Sequence, residues 1–250
     1  MRYKAEQPAC QRTASSNIIH QVPTTTVCFT LLNRFSTTPK HSVNMKTTFS
    51  VAALVAAASA QQYNITSKGF RLVLTSDDGA INSEVSACHT GAALESLCLS
   101  KNNDPSTPSA FDTFYFNTTS TSQPPVNHTE LGPEGILTWF LPVNDYGNVP
   151  SSAYFNYDPS TDSATPILTT GTPVDVQRMS FTDKDELIIQ GYIDWTANPP
   201  KYAGPYGLNR WYACQTYYAG YQYTNLVWGL GAAKPENPTC VKVDVKRVFV

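Results

Sequence analysis

The 250-residue sequence lacks any run of about 20 consecutive apolar residues, the length that a helix needs to cross a bilayer. It also lacks a cluster of Lys and Arg, and its formal net charge is −2. Phosphate backbones are bound by clustered basic residues, so this composition argues against nucleic acid as a partner. We therefore expect a protein that binds no nucleic acid and that is not anchored in a membrane after removal of any signal segment.

Recognisable catalytic motifs are also missing. The sequence has no G-x-S-x-G nucleophile elbow, no H-E-x-x-H zinc motif and no glycine-rich phosphate loop. After residue 61 the histidines are His89 and His128; the first adjoins Cys88, which we expect to be oxidised, and the second lies inside a glycosylation sequon. The sequence therefore predicts no enzyme, no cofactor and no metal.

Acidic residues leave two alternatives open. Glycoside hydrolysis needs only two carboxylates, held about 5 Å apart or further. Residues 77–79, Asp-Asp-Gly, are most simply a turn after a strand. Residues 183–186 also fit a turn, although Asp183, Asp185 and Glu186 are a candidate calcium site that lacks the glycine and distal Glu of an EF-hand loop.

Residues 45–60, MKTTFSVAALVAAASA, have the three parts of a secretory signal peptide. Lys46 supplies the positive start, about ten mostly apolar residues follow, and a small-x-small motif ends at Ala60 before Gln61. The apolar run is too short for a membrane span. We expect cleavage between Ala60 and Gln61 and a secreted product, extracellular or in the cell wall.

Residues 1–44 precede this signal and differ in charge from the rest. Residues 1–60 hold six Lys or Arg and one Asp or Glu, whereas residues 61–250 hold eleven and eighteen. We interpret Met45 as the initiator and residues 1–44 as a misassigned or disordered leader; a cytoplasmic extension or an organelle-type leader is the alternative. Residues 61–250 are long enough for one domain with its own core.

Four cysteines follow the predicted cleavage site, in an oxidising compartment. They are Cys88, Cys98, Cys214 and Cys240. Four cysteines allow three pairings, and the short separations favour Cys88 with Cys98 and Cys214 with Cys240. A zinc site is disfavoured because paired C-x-x-C spacings are absent.

Three N-glycosylation sequons also follow the signal, at Asn64, Asn117 and Asn127. In a secreted chain such sequons indicate surface loops. We expect at least one of them to carry a glycan.

Short segments rich in β-branched and aromatic residues alternate with turn-forming residues, which predicts an all-β fold. We expect an antiparallel β-sandwich or barrel with long loops and at most one short helix. The predicted strands are 70–75, 113–117, 136–141, 153–157, 179–182, 187–192, 210–218, 221–230 and 241–250. Proline-containing segments 101–110, 119–127 and 196–205 are predicted loops, and residues 90–99 fit a short helix or a strand.

The best-defined element is a hairpin over residues 210–231. If Ala219 and Gly220 form a two-residue turn, Trp211 lies opposite Trp228. Side chains alternate across a strand, so this tryptophan face is the candidate core. The other face carries Tyr218, Tyr221 and Tyr223 and is expected to be partly exposed.

These three tyrosines are the candidate ligand-binding residues. Rings with an apolar face and a polar tip suit partly wet surfaces on which sugar rings stack. The same rings also stabilise a sheet by about 0.2–1 kcal/mol per cross-strand pair without any ligand. We expect a non-catalytic binding module for glycan or cell-wall polysaccharide. The alternatives are a secreted interaction or effector protein that binds another protein, and a polysaccharide hydrolase with an unrecognised carboxylate pair.

Four sequence blocks carry a resemblance to a known family. They are ACHTGAALESLCLS, ILTWFLP, RWYACQTYYAGYQYTNLVWGLG and PENPTCVKVDVKRVFV. Behind a short signal peptide, they resemble a family of secreted proteins of filamentous ascomycete fungi that is classed as a domain of unknown function. The likeness covers most of residues 61–250 and implies secretion, a fungal source and four paired cysteines. It implies no catalytic residue or ligand.

Overall fold

The computed structural model describes residues 63–100, 109–143, 147–171 and 175–250. The predicted leader at 1–44, signal peptide at 45–60 and cleavage site at Ala60 and Gln61 lie outside the described residues. Within the described ranges, no helix has the length and apolarity needed to cross a membrane.

Fifteen strands and one 3-10 helix, at Thr129–Leu131, make up the regular structure of the described residues. The strands are β1 (Ile65–Thr66), β2 (Phe70–Thr75), β3 (Asn82–Gly91), β4 (Leu94–Leu99), β5 (Phe114–Thr118), β6 (Glu134–Val143), β7 (Gly147–Asp158), β8 (Ser163–Thr170), β9 (Arg178–Phe181), β10 (Leu187–Asp194), β11 (Lys201–Leu208), β12 (Trp211–Tyr218), β13 (Tyr221–Gly229), β14 (Val241–Lys242) and β15 (Asp244–Phe249). The predicted all-β class is confirmed.

Eight strands form a closed antiparallel barrel. Around the ring they follow the order β2, β3, β4, β13, β8, β7, β6 and β5. Strand β5 closes the ring. Its Phe114 pairs with Phe70 of β2, and its residues 114–117 pair with residues 139–136 of β6. Closure leaves the ring without a free sheet edge that could pair with another chain.

The other strands extend this barrel. β15 pairs with β2 over six residues, from Asp244–Thr75 to Phe249–Phe70. β12 pairs with β13 on one edge and with β14 on the other. β9 pairs with β6 and β10, and β10 continues into a hairpin with β11. The β12–β13 hairpin therefore contributes one strand to the barrel and holds a second strand beside it.

Inward-facing side chains fill the barrel. In β2 the alternation is complete, because Phe70, Leu72 and Leu74 are fully buried while their neighbours are partly or fully exposed. The largest fully buried side chains include Trp139, Trp211, Phe114, Leu97, Leu137, Leu168, Met179 and Leu187. Burying each large apolar side chain contributes about 1.5–3 kcal/mol, so this core is the main stabilising term.

The predicted register of the β12–β13 hairpin is confirmed. Trp211 pairs with Trp228, and Tyr218 pairs with Tyr221 across the turn. Ala219 and Gly220 have φ values of 49° and 90°, the two positive angles that a type I′ turn requires. The tryptophan face points into the core as expected, with Trp211 fully buried.

Four strands, β1, β3, β8 and β11, are absent from the sequence-based prediction. Pro166 lies within β8 opposite Phe155 of β7, and on the other edge of β8 it falls between Ala164, which pairs with β13, and Ile167, which pairs with β4. Pro205 lies in β11, whose partner is β10 alone. The predicted loop at 196–205 is therefore wrong from Lys201 onward, and residues 90–99 form the end of β3, a turn and strand β4.

The hairpin turn predicts opposite effects for two substitutions at Ala219. Asn tolerates positive φ and forms the favoured Asn-Gly turn, so we expect Ala219→Asn to raise the free energy of unfolding by about 1 kcal/mol. A β-branched residue is strained there, so Ala219→Val lowers it by a similar amount or more. Urea denaturation measures both; equal stability of the two variants would contradict the turn assignment.

Candidate functional site

Two tyrosine rings lie side by side on the outer face of β13. The ring centroids of Tyr221 and Tyr223 are 6.3 Å apart and their planes differ by only 12°. Tyr221 has 37% of its surface exposed and Tyr223 is half-buried. Tyr218 lies opposite Tyr221 in the ladder and is also half-buried. The three predicted tyrosines thus share one face, which we call the tyrosine face.

Neighbouring strands hold these rings in place. The Tyr223 hydroxyl donates to the His89 carbonyl oxygen at 3.1 Å, and the His89 ring meets the Tyr221 ring edge-on at 5.3 Å. The hydroxyls of Tyr218 and Tyr154 are 3.5 Å apart. Burial, followed by the contact with Tyr218, raises the pKa of Tyr154 to about 12. The face is therefore ordered, with Tyr154 beside it uncharged at neutral pH.

The same side of the hairpin is closed further from the turn. Tyr212 and Val227 are buried there with the Cys214–Cys240 disulfide. Asn225 is also buried and accepts a hydrogen bond from the Ser96 hydroxyl at 3.0 Å. The predicted partly exposed surface is thus confined to the turn end of the hairpin, where the three tyrosines lie.

A cavity of about 720 Å³ adjoins the tyrosine face and shares Tyr223 with it. Its walls come from β3, β4, the turn before β5 and β13. Hydroxyl groups of Ser83, Ser86 and Thr224 and the amide of Gln222 line it. Its size lies within the range of small-molecule sites, and its lining combines these hydrogen-bonding groups with apolar surface from Phe111, Leu99 and the Cys88–Cys98 disulfide.

Phe111 and Asp112 complete the cavity from the turn before β5. The Phe111 ring is 46% exposed and lies 5.9 Å from the ring of Trp139, whose indole donates to the Ala110 carbonyl oxygen at 2.8 Å. Ala87 donates its N–H to the Phe111 carbonyl oxygen at 2.8 Å. The barrel wall therefore holds this turn at two adjacent carbonyl groups, those of Ala110 and Phe111. No sequence motif singles out either residue, because their role arises from a turn that only the folded barrel brings beside β13.

The Asp112 side chain is only 4% exposed. The backbone N–H of Asp112 donates to the Ser109 carbonyl oxygen at 3.0 Å. None of the twelve described residues that line the cavity is Lys, Arg or His. Among these described lining residues, Asp112 is the one acidic side chain.

Both favoured cysteine pairings are confirmed. Cys88–Cys98 joins the neighbouring strands β3 and β4 and lines the cavity. Cys214–Cys240 joins β12 to the segment before β14. Because Cys88 is oxidised, it cannot act as a thiolate beside His89.

The two acidic turns are present, and their carboxylates have other partners. Asp78 accepts hydrogen bonds from Ser76 and Ala80 across its own turn. In the second turn, Asp185 accepts from Arg247 Nε at 2.7 Å, and Glu186 lies 3.3 Å from the Lys246 ammonium. Among the described residues, no group of three His, Cys, Asp or Glu side chains could hold a metal ion. The calcium interpretation therefore has no assembled ligand set.

Glu95 is a buried acid that the sequence analysis missed. It faces the barrel interior on β4, between His89 of β3 and Leu168 of β8 in the ladders. Its side chain is 4% exposed, and Oε2 has no hydrogen-bond partner. Burial raises the pKa of Glu95 to about 7. Glu95 does not line the cavity beside Tyr223, so it is better placed to affect stability than to meet a ligand there.

The three sequons differ in their surroundings. Asn64 and Asn127 are exposed, outside the strands. Asn117 lies within β5, paired with Thr66 on one side and Ile136 on the other, and its side-chain oxygen is buried without a partner. The expectation of a surface loop is therefore wrong for Asn117.

Comparison with known proteins gives one family. The model of the Domain of unknown function (DUF7907) matches residues 67–249, and the chain belongs to that family. No curated protein and no solved structure matches the chain. The matched region covers the whole barrel and the cavity beside Tyr223.

The buried carboxyl of Glu95 predicts a pH-dependent stability. Its folded pKa of about 7 is above the ordinary value of 4.5, so the folded state holds the proton more tightly than the unfolded state. The free energy of unfolding should fall as pH rises from about 4.5 to 7, by about 2–3 kcal/mol. Glu95→Gln should remove this step in urea denaturation, whereas Glu134→Gln, at an exposed acid, should keep it. An unchanged step in Glu95→Gln would contradict the assignment.

The sequons predict a pattern of glycan occupancy. In protein secreted by a eukaryotic host, we expect glycans on Asn64 and Asn127 and none on Asn117, because the side-chain oxygen of Asn117 is buried and a bulky glycan needs an exposed amide. Glycopeptide mass spectrometry of the folded product measures occupancy site by site. Full occupancy of Asn117 would contradict the burial of its side chain.

Proposed function

We propose that this protein is a secreted, non-catalytic carbohydrate-binding domain that contacts glycan or cell-wall polysaccharide through Tyr218, Tyr221 and Tyr223. The observation that carries the proposal is the near-parallel, partly exposed pair of Tyr221 and Tyr223 beside a cavity lined by hydroxyl groups. The aromatic rings and the hydrogen-bonding groups of the neighbouring cavity match the two kinds of surface on a sugar ring.

The physical basis is complementarity between the rings and the sugar. One face of a pyranose presents C–H groups that pack on an aromatic ring, while its hydroxyls need donors and acceptors at the edges. Because the Tyr223 hydroxyl is fixed to His89 and the Tyr221 ring also contacts His89, little side-chain entropy is lost on binding. This preorganisation favours a recognition role over simple sheet packing.

Secretion is supported by three features. The signal sequence at 45–60 predicts export, and two disulfides in the described residues fit an oxidising compartment. The resemblance to secreted ascomycete proteins points to a fungal source. A cell-wall polymer is thus the polysaccharide most accessible to the protein.

A second candidate function, binding another protein, is favoured by the β10–β11 hairpin. Tyr192, Trp195 and Tyr202 are 62%, 76% and 69% exposed there. In register, Asp194 pairs with Lys201, which leaves this tip without net charge. Exposed aromatic residues of this kind are enriched at protein interfaces.

The proposed function predicts loss of polysaccharide retention on removal of two rings. The secreted protein is incubated with insoluble chitin, β-glucan, mannan and xylan, and the bound fraction and released sugar are measured. Tyr221→Ala combined with Tyr223→Ala should reduce retention at least tenfold, while the free energy of unfolding falls by only about 1 kcal/mol.

Matched variants separate the ring surface from other effects. Tyr192→Ala combined with Tyr202→Ala removes two exposed tyrosines elsewhere and should leave retention unchanged. Tyr223→Phe keeps the ring, removes the hydrogen bond to His89 and should retain at least half of the binding. Unfolding of the double alanine variant would assign the rings to packing. Sugar release by the wild type would instead favour the hydrolase alternative. Capture of another protein, without polysaccharide retention, would favour the interaction-protein alternative.

A further inference from the structure

We propose that the Cys88–Cys98 disulfide is a site of thiol–disulfide exchange with a dithiol reductant, and that its reduction in the folded protein weakens binding at the tyrosine face. The exchange does not depend on a ligand, whereas its effect on binding rests on the proposed carbohydrate-binding function. Three observations support the inference. The two disulfides differ in burial, they differ in what else joins their cysteines, and His89 connects Cys88 to two of the tyrosines.

Burial distinguishes the two disulfides. Cys88 is half-buried, and both Cys88 and Cys98 line the cavity beside the tyrosine face. By contrast, Cys214 and Cys240 are 0% and 2% exposed and lie in a buried cluster of their own. Exchange begins when a thiolate reaches one of the two sulfur atoms, so its rate depends on access. We therefore expect a dissolved dithiol to attack Cys88 long before either cysteine of the buried pair.

The two disulfides also differ in what else holds their cysteines together. Cys88 and Cys98 are 10 residues apart, on strands β3 and β4, which a ladder of six residue pairs already joins. Cys240 lies outside the strands, 26 residues after Cys214. A disulfide stabilises more when it closes a longer loop. Reduction of Cys88–Cys98 should therefore leave the barrel folded, whereas reduction of the other pair frees the segment before β14.

The exchange is a balanced two-electron reduction. One thiolate of the dithiol attacks the sulfur of Cys88, the bond to Cys98 breaks, and the Cys98 sulfur leaves as a thiolate that takes up a proton. The second thiolate of the reagent then attacks the mixed disulfide and releases Cys88, which is also protonated. The reagent leaves as an intramolecular disulfide, so it is oxidised while the protein disulfide is reduced to two thiols.

His89 connects this disulfide to the tyrosine face. It follows Cys88 directly in β3, its carbonyl oxygen accepts the Tyr223 hydroxyl at 3.1 Å, and its ring meets the Tyr221 ring edge-on at 5.3 Å. Two free thiols need more room than bonded sulfurs, which are about 2.0 Å apart. We therefore expect reduction to shift the part of β3 that carries Cys88 and His89. The two rings then lose the fixed positions that favour binding.

Timed alkylation measures exchange at each disulfide. The folded secreted protein is incubated with dithiothreitol at neutral pH, samples are alkylated with iodoacetamide at intervals, and peptide mass spectrometry gives the modified fraction of each cysteine. Cys88 and Cys98 should be alkylated at least tenfold faster than the buried pair, before tryptophan fluorescence shows any unfolding of the core. Equal rates, faster reduction of Cys214–Cys240, or unfolding in step with reduction would overturn the inference.

Matched serine variants test the effect on binding. Cys88→Ser combined with Cys98→Ser should remain folded and retain polysaccharide at least threefold less than the oxidised wild type. Dithiothreitol should lower retention by the wild type to a similar level and should not lower retention by this variant further. Cys214→Ser combined with Cys240→Ser should lose more stability in urea denaturation. Wild-type retention by the first variant would overturn the effect on the tyrosine face.

The outcomes keep this inference apart from the proposed function. If the oxidised wild type retains no polysaccharide, the proposed function fails, and the alkylation rates decide whether the Cys88–Cys98 disulfide exchanges. If the oxidised wild type retains polysaccharide but the Cys88→Ser, Cys98→Ser variant unfolds, the disulfide is structural. The inference then fails while the proposed function stands.

Discussion

The burial of Trp211 is the interaction on which the rest of the structure depends. Its indole N–H donates to the Leu187 carbonyl oxygen at 2.7 Å, and its ring lies 4.8 Å from that of Trp228. The Phe155 ring packs against both tryptophans. These contacts join β12, β13, β7 and β10 in one cluster, so they fix the hairpin to the barrel and determine which of its faces points outward.

The outward face follows directly from that constraint. Side chains alternate along a strand, so a register that buries Trp228 must place Tyr221 and Tyr223 on the opposite side. A shift by one residue would exchange the two faces and would remove the tryptophan cluster from the core. The site is therefore rigid because the core behind it is rigid. The Cys88–Cys98 disulfide adds a second constraint, since it joins the two strands that form one wall of the cavity.

Local patterns were sufficient to predict much of the fold. The hairpin register, its two-residue turn and both disulfides could be predicted because each depends on residues close in sequence. Strand β3 could not, because its buried apolar positions are chiefly Val85 and Ala87 and its remaining residues are poor strand formers. The tyrosine face could be proposed from strand alternation. The cavity could not, because Asp112 reaches β13 only through barrel closure, and Glu95 looks like an ordinary surface acid until β8 covers it.

The central claim is that the outer face of β13 binds carbohydrate. The most direct test measures the NMR chemical shifts of individual tyrosine rings as ligand is added. Site-resolved NMR of ring-labelled tyrosine, during titration in turn with soluble oligomers of chitin, β-glucan, mannan and xylan, reports each ring separately. The account predicts shifts for Tyr221 and Tyr223 and none for Tyr192 and Tyr202, which are more exposed but lie on a different hairpin. Shifts confined to Tyr192 and Tyr202, or no shift at any tyrosine, would contradict it.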